Sequence, residues 1–151
     1  MNPRDFLSVA EDLLEATREC DWRTAVSRAY YAAFLVAVEL LRNVGFEVPP
    51  DGGGHAHVYR RLNNCGREEV IDAAQALWDL REARNWADYR MNRPLGLGVA
   101  IDAVDDARRV IRLLDDLADS EAVLAQVLAA VRAYERDVLK EVTFHEPGAS
   151  E

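Results

Sequence analysis

Ala29-Tyr30-Tyr31-Ala32-Ala33-Phe34-Leu35-Val36-Ala37-Val38 is apolar without a break and ends at Glu39. A helix that is apolar on every side belongs in the middle of a fold. The run is too short to span a bilayer, so it reads as the centre of a soluble core. Upstream, Asp21 is placed to cap this helix, and Trp22, Val26, Tyr30, Ala33, Phe34, Ala37, Leu40 and Leu41 follow at helical spacing. The small residues Ala29, Ala32, Ala33 and Ala37 allow neighbouring helices to approach closely.

Helical periodicity continues on both sides of this segment. Asn2 and Pro3 are a cap and first-turn pair for a helix whose face is Phe6, Val9 or Ala10, Leu13, Leu14 and Thr17. Pro49-Pro50-Asp51-Gly52-Gly53-Gly54 is the strongest breaker in the chain and reads as a loop. A short helix from about His55 to Asn63 comes next, then a long one from about Arg67 to Tyr89, closed by Asn92-Arg93-Pro94-Leu95-Gly96. The fifth, Leu97 to Leu117, carries Ile101, Val104, Ile111, Leu114 and Leu117 on one face. Ser120 is a cap for a sixth helix through Val142, where Leu124, Val131 and Val138 recur every seven residues. No stretch alternates with the period of a strand.

These segments predict an all-α, antiparallel up-and-down helical bundle of four to five core helices with an additional C-terminal helix. The expected division is a bundle over 1–118, the extra helix over 119–143 and a flexible polar tail over 144–151, with His145 in that tail.

The chain has 151 residues, half of them apolar and 30% charged, which suits one soluble domain with a real core. Its N-terminus shows no basic flank leading into an apolar signal region. Cys20 and Cys65 give neither a disulfide framework nor metal spacing, so reduced thiols, a cytoplasmic setting and no cofactor are expected. A net charge of −9 opposes nonspecific coating of nucleic acid. Charge is uneven, however. Arg81, Arg84, Arg90 and Arg93 face only Glu82 and Asp88, whereas Asp102 to Glu121 is acidic. Lys140 is the one lysine, and a preference for arginine suits planar recognition of phosphate or carboxylate, although it can equally reflect codon composition.

Candidate chemistry concentrates at Arg84-Asn85-Trp86-Ala87-Asp88-Tyr89. Val70, Leu77 and Arg84 are spaced by seven, so the arginine continues an apolar stripe, where a charge is costly unless paired or bound to a ligand. Asp88, four residues on, can pair with it. Tyr89, five residues on, lies roughly 140° round an ideal helix, so it cannot share a face with Arg84, and the two are expected to converge on one ligand only if the helix end loosens or a dimer interface brings two copies together. His55 and His57, beside the glycine loop, could reach the motif, or could cap and face solvent. Ser27-Arg28 could add a second cation or form an interhelical pair; Tyr30 and Tyr31 read as packing. No HxxxH, HExxH or CxxC spacing supports a metal, the glycine run lacks a Walker lysine, and no nucleophile-base-acid set appears.

Three stretches together resemble the HEPN family: Ser27-Arg28-Ala29-Tyr30-Tyr31 within 21–34, Gly54-His55-Ala56-His57-Val58, and Arg84 to Tyr89. The last is similar to the subgroup reading arginine, two spacers, alanine-aspartate-tyrosine. The resemblance covers roughly residues 4 to 118 and leaves the sixth helix outside it. It implies a bundle that dimerises, and in many members a metal-independent ribonuclease toxin encoded beside a small nucleotidyltransferase antitoxin. In those enzymes an arginine holds phosphate, asparagine follows, and a histidine four to six residues beyond the arginine moves protons. Arg84 and Asn85 match; Tyr89 stands where the histidine would be. A tyrosine, with an unperturbed pKa of about 10, is a poor base at neutral pH.

The expectation is therefore a HEPN-like protein of a toxin–antitoxin or stress-related system, degenerate as a nuclease. Arg84, Asn85, Asp88 and Tyr89 are the candidate catalytic positions, degenerate on this reading, and Arg28, His55, His57, Arg81 and Arg90 are the candidates for binding RNA, a nucleotide or a protein partner. The alternatives are an active ribonuclease using Arg84 and Tyr89, and a noncatalytic module that pairs with a nucleotidyltransferase through its last helix.

Overall fold

The structure is a computed structural model and describes residues 1–148. It is all-α, a helical bundle with an additional C-terminal helix. The elements are α1 (Arg4–Leu13), α2 (Glu19–Val44), α3 (Gly53–Asn63), α4 (Glu68–Tyr89), α5 (Leu97–Asp119), α6 (Glu121–Tyr134) and a π-turn (Glu135–Leu139). The chain packs as two compact units: Met1–Val36 with Ala76–Arg112, and Ala37–Gln75 with Leu113–Glu151. Residues 149–151, the end of the expected flexible tail, lie outside the described residues.

The first unit contains α1, the first part of α2, the end of α4 and the start of α5. Ala25, Ala29, Ala32 and Ala33 have no exposed surface, as the apolar centre of α2 predicts. Among the described residues α2 alone is long and apolar enough to cross a membrane, and 72% of that window is buried inside the fold. Pro3 rather than Asn2 stands at the N-cap of α1, and Asn2 Oδ1 accepts from the Arg4 amide at 3.0 Å. Ala10, not Val9, is the residue α1 buries, and Val9 stays exposed. Asp21 does not cap α2: the helix begins at Glu19, and the Asp21 carboxylate takes two hydrogen bonds from Arg18 at 2.8 and 3.0 Å. On α5, Val104, Ile111, Leu114 and Leu117 of the expected face are buried, Ile101 is exposed, and Ala100, Ala103 and Ala107 are buried beside them.

The second unit holds the rest of α2, α3, the first part of α4, the end of α5, α6 and the π-turn. Leu40, Leu41, Val58, Leu62, Val70, Leu114, Leu117, Val127 and Val131 form its core. Ser120 caps α6, accepting from the Val123 amide. The expected sixth helix through Val142 ends earlier. At Glu135 the helix widens into a π-turn, which adds a residue to the turn and breaks the seven-residue phase. Val138, next on the expected stripe, is consequently exposed, and the fully buried residue is Glu135.

Its carboxylate accepts from Arg61 Nε at 2.7 Å and from the Thr143 amide at 3.0 Å, and the Thr143 hydroxyl also donates to it. Lys140, at φ 56°, turns the chain back so that this closure is possible. Phe144 and His145, at the start of the expected flexible tail, make contacts of their own. Phe144 bridges to Phe46, their rings 5.3 Å apart, and the His145 amide donates to the Gly45 carbonyl at 2.7 Å. Gly45 has φ +118°, and a Cβ there would run into the His145 carbonyl, so only glycine fits beneath this segment.

His57 is 6% exposed, and its Nε2 lies 3.4 Å from Thr143 Oγ1. Burial, assisted by the Arg61 charge, pushes its pKa down to about 4. The unfolded chain, with an ordinary histidine near 6.5, therefore takes up this proton before the folded one. Stability is expected to be level above pH ~6.5 and to fall by up to about 3 kcal/mol between ~6.5 and ~4. Glu135 acts in the same direction below that window. Burial alone would raise its carboxyl, but the Thr143 and Arg61 hydrogen bonds outweigh burial and hold it below the usual value. Urea denaturation across this range checks the expectation; a wild-type profile as flat as that of His57→Gln would refute it.

Candidate functional site

The last two turns of α4 lie in the first unit, and their geometry follows from one long side chain. Arg84, 16% exposed, donates from Nε to Asp88 Oδ2 at 2.9 Å. Its Nη1 reaches Asn85 Oδ1 at 3.4 Å, and its Nη2 donates to the Tyr89 hydroxyl at 3.2 Å. The helix stays regular to Tyr89, and the arginine stem reaches round it, so the two side chains bond directly although they start from different faces. The guanidinium also lies against two rings, 5.1 Å from the centroid of Tyr31 and 5.2 Å from that of Tyr89. The pairing with Asp88, anticipated from the four-residue spacing, is present.

α2 supplies the other wall. Ser27, buried, donates its hydroxyl to Asp88 Oδ2 at 3.1 Å. Arg28 Nη2 donates to Ser27 Oγ at 3.3 Å, and its guanidinium sits 4.9 Å from the Phe6 ring and 5.1 Å from the Tyr31 ring. Tyr30 is 1% exposed and stacks on Phe34, and burial raises its phenol far above the ordinary value. It is a packing residue. Arg81 stands beside the Trp78 ring at 5.6 Å, and Arg90 is exposed just beyond the helix.

The feature missed from sequence is Arg23. This residue is buried on α2, and it fans onto the carbonyls that close α4. Nη1 donates to Trp86, Ala87 and Arg90 oxygens at 3.1, 3.0 and 3.3 Å, and Nη2 donates to the Arg93 oxygen. Nε donates to Glu19 at 2.8 Å, and the same Glu19 oxygen accepts from the Leu95 amide at 3.2 Å. The last carbonyls of a helix have no partner within it, and a cation there also suits the helix dipole. Trp86 Nε1 adds a bond to the Arg93 carbonyl at 3.1 Å, while the Arg93 guanidinium covers the Trp86 ring at 3.7 Å. A signal was available: Arg23 precedes Tyr30 by seven, so it occupies the buried stripe of α2.

The structure thus brings together Arg28, Arg84, Asn85, Asp88 and Tyr89, joined by Ser27. His55 and His57 belong to the second unit, where His57 engages Thr143. Chemically, the Arg84 cluster offers hydrogen-bond donors and positive charge, the equipment for holding an anion, with Tyr89 68% exposed at its edge. Among the described residues no group of three or more His, Cys, Asp or Glu side chains could hold a metal ion.

The family model of the HEPN domain matches residues 3–117. An uncharacterized protein of Methanocaldococcus jannaschii is similar to the chain at 27% identity, over 77% of this chain and 76% of the relative. No solved structure matches.

Proposed function

The chain belongs to the HEPN domain family, and from that premise we propose that it binds RNA by the phosphate backbone without cleaving it. The observation that carries this reading is the engagement of Arg84. Its guanidinium is held by Asp88, Asn85 and Tyr89, and no imidazole stands among them to move a proton. Arginines and a tyrosine hydroxyl around one surface retain anion affinity when proton transfer is lost. On this reading the protein serves a toxin–antitoxin or stress-related system in the cytoplasm, as a homodimer, with a nucleotidyltransferase as its partner protein.

The test uses a fluorescein-labelled single-stranded RNA 20-mer, with anisotropy reporting binding and a denaturing gel reporting cleavage. Saturable binding of intact RNA is expected. The double variant Arg28→Gln, Arg84→Gln is expected to weaken it at least about tenfold, since each phosphate contact carries salt-sensitive affinity. Cleavage that disappears in Arg84→Ala would replace this reading with the ribonuclease one. That second reading is favoured by a specific contact, the exposed Tyr89 hydroxyl 3.2 Å from Arg84 Nη2.

A further inference from the structure

We infer that Arg28, rather than the motif arginine Arg84, is the principal phosphate-binding cation of this surface. The inference rests on the RNA-binding reading above. The two arginines flank the same ring, each 5.1 Å from the Tyr31 centroid, yet their electrostatic situations differ. Arg84 is paired with the Asp88 carboxylate at 2.9 Å and is only 16% exposed. Its charge is balanced, and any phosphate approaching it also meets Asp88. Arg28 forms no ion pair among the described residues. Its contacts are two aromatic rings and the Ser27 hydroxyl, which leave its charge uncompensated.

The rings do more than bury the stem. The Phe6 centroid at 4.9 Å and the Tyr31 centroid at 5.1 Å place two rings beside the guanidinium. A ring attracts the cation without occupying its N–H groups as a carboxylate does, so the planar fork stays suited to meeting two phosphate oxygens at once. Ser27 Oγ cannot neutralise it. That hydroxyl accepts one bond from Arg28 and directs its own proton to Asp88. Asp88 Oδ2 is therefore occupied by Ser27 and Arg84 together, which confines the carboxylate to Arg84's side of the cluster. Asp88, Ser27 and Arg84 act as positioning residues, and Arg28 makes the contact.

The same RNA 20-mer, titrated at several salt concentrations, separates the two arginines. Arg28→Gln is expected to lose affinity about tenfold and to lower the slope of log affinity against log salt by about 0.7, one phosphate contact on a single strand. Its melting temperature should match the wild type. Arg84→Gln should melt lower and, at a temperature where it is folded, weaken binding and lower the salt slope clearly less than Arg28→Gln does. Arg28→Lys, which keeps the charge and loses the planar fork, should fall between wild type and Arg28→Gln; it also carries the comparison should Arg28→Gln fail to fold. A loss confined to Arg84→Gln, or shared equally by both variants, overturns the inference and leaves RNA binding standing. A wild-type protein that does not bind the RNA overturns both.

Discussion

Glu135→Ala is expected to destabilise the protein by about 3–5 kcal/mol, the range for removing one partner of a buried ion pair. Glu135 and Arg61 side chains are 1% and 3% exposed, and their charged atoms lie 2.7 Å apart. Deleting the carboxylate leaves the Arg61 charge inside, where water does not reach it. The Thr143 amide and hydroxyl lose their acceptor in the same step, so the closure of the chain after Lys140 opens. The pair itself need not be a large net stabiliser, because burying both charges costs nearly as much as their attraction returns. The combination Arg61→Met with Glu135→Leu should therefore recover most of the loss. Urea denaturation of the two single variants and the double variant measures the coupling. A Glu135→Ala loss below about 1 kcal/mol would contradict the buried pair.

The same residue shows where sequence reading stopped. The course of helices α2, α4 and α5 was legible because alanine and leucine at helical spacing leave no competing period, and Pro49-Pro50 and Pro94 mark breaks, whereas α3 begins at Gly53, inside the glycine run expected to be loop. Beyond Tyr134 the seven-residue repeat pointed to Val138, whereas the structure buries Glu135. A π-turn changes phase without any local residue signature, and its cause is a partner, Arg61, far away in sequence. The contact of Phe144 was not legible for a related reason: its neighbours are polar, and its ring partner, Phe46, is far away in sequence. At the site, the Arg84–Asp88 pair was legible because four residues is one helical turn. The Arg84–Tyr89 bond was not, because angles about a helix axis describe where Cβ atoms point and ignore the reach of a guanidinium. Ser27-Arg28 was legible as a possible interhelical pair, and Ser27 makes one with Asp88. Arg23 was not, because its partners lie on α4 and in the turn after it, and only folding brings backbone carbonyls into view as ligands.

Arg23→Ala is expected to cost about 3 kcal/mol or more, since hydrogen bonds from a charged donor to buried carbonyls contribute about 1.5–3 kcal/mol each and are not additive. The side chain is 10% exposed and is the common donor to Trp86, Ala87, Arg90 and Arg93 oxygens. Without it, the last turn of α4 has unsatisfied carbonyls in a part-buried place, and that turn carries Asp88 and Tyr89. The effect should therefore reach the candidate site. The Arg90 amide, bonded to the Trp86 carbonyl at 3.0 Å, should lose hydrogen-exchange protection together with its neighbours in the turn. Arg23→Lys should rescue little, because one ammonium cannot fan onto carbonyls that a planar fork reaches together. If Arg23→Ala changed neither urea stability nor exchange at Tyr89 and Arg90, the end of α4 would be held by Trp86 and its neighbours instead. With the loss found and protection gone, the geometry of Arg84 with Tyr89 depends on an arginine that touches neither of them.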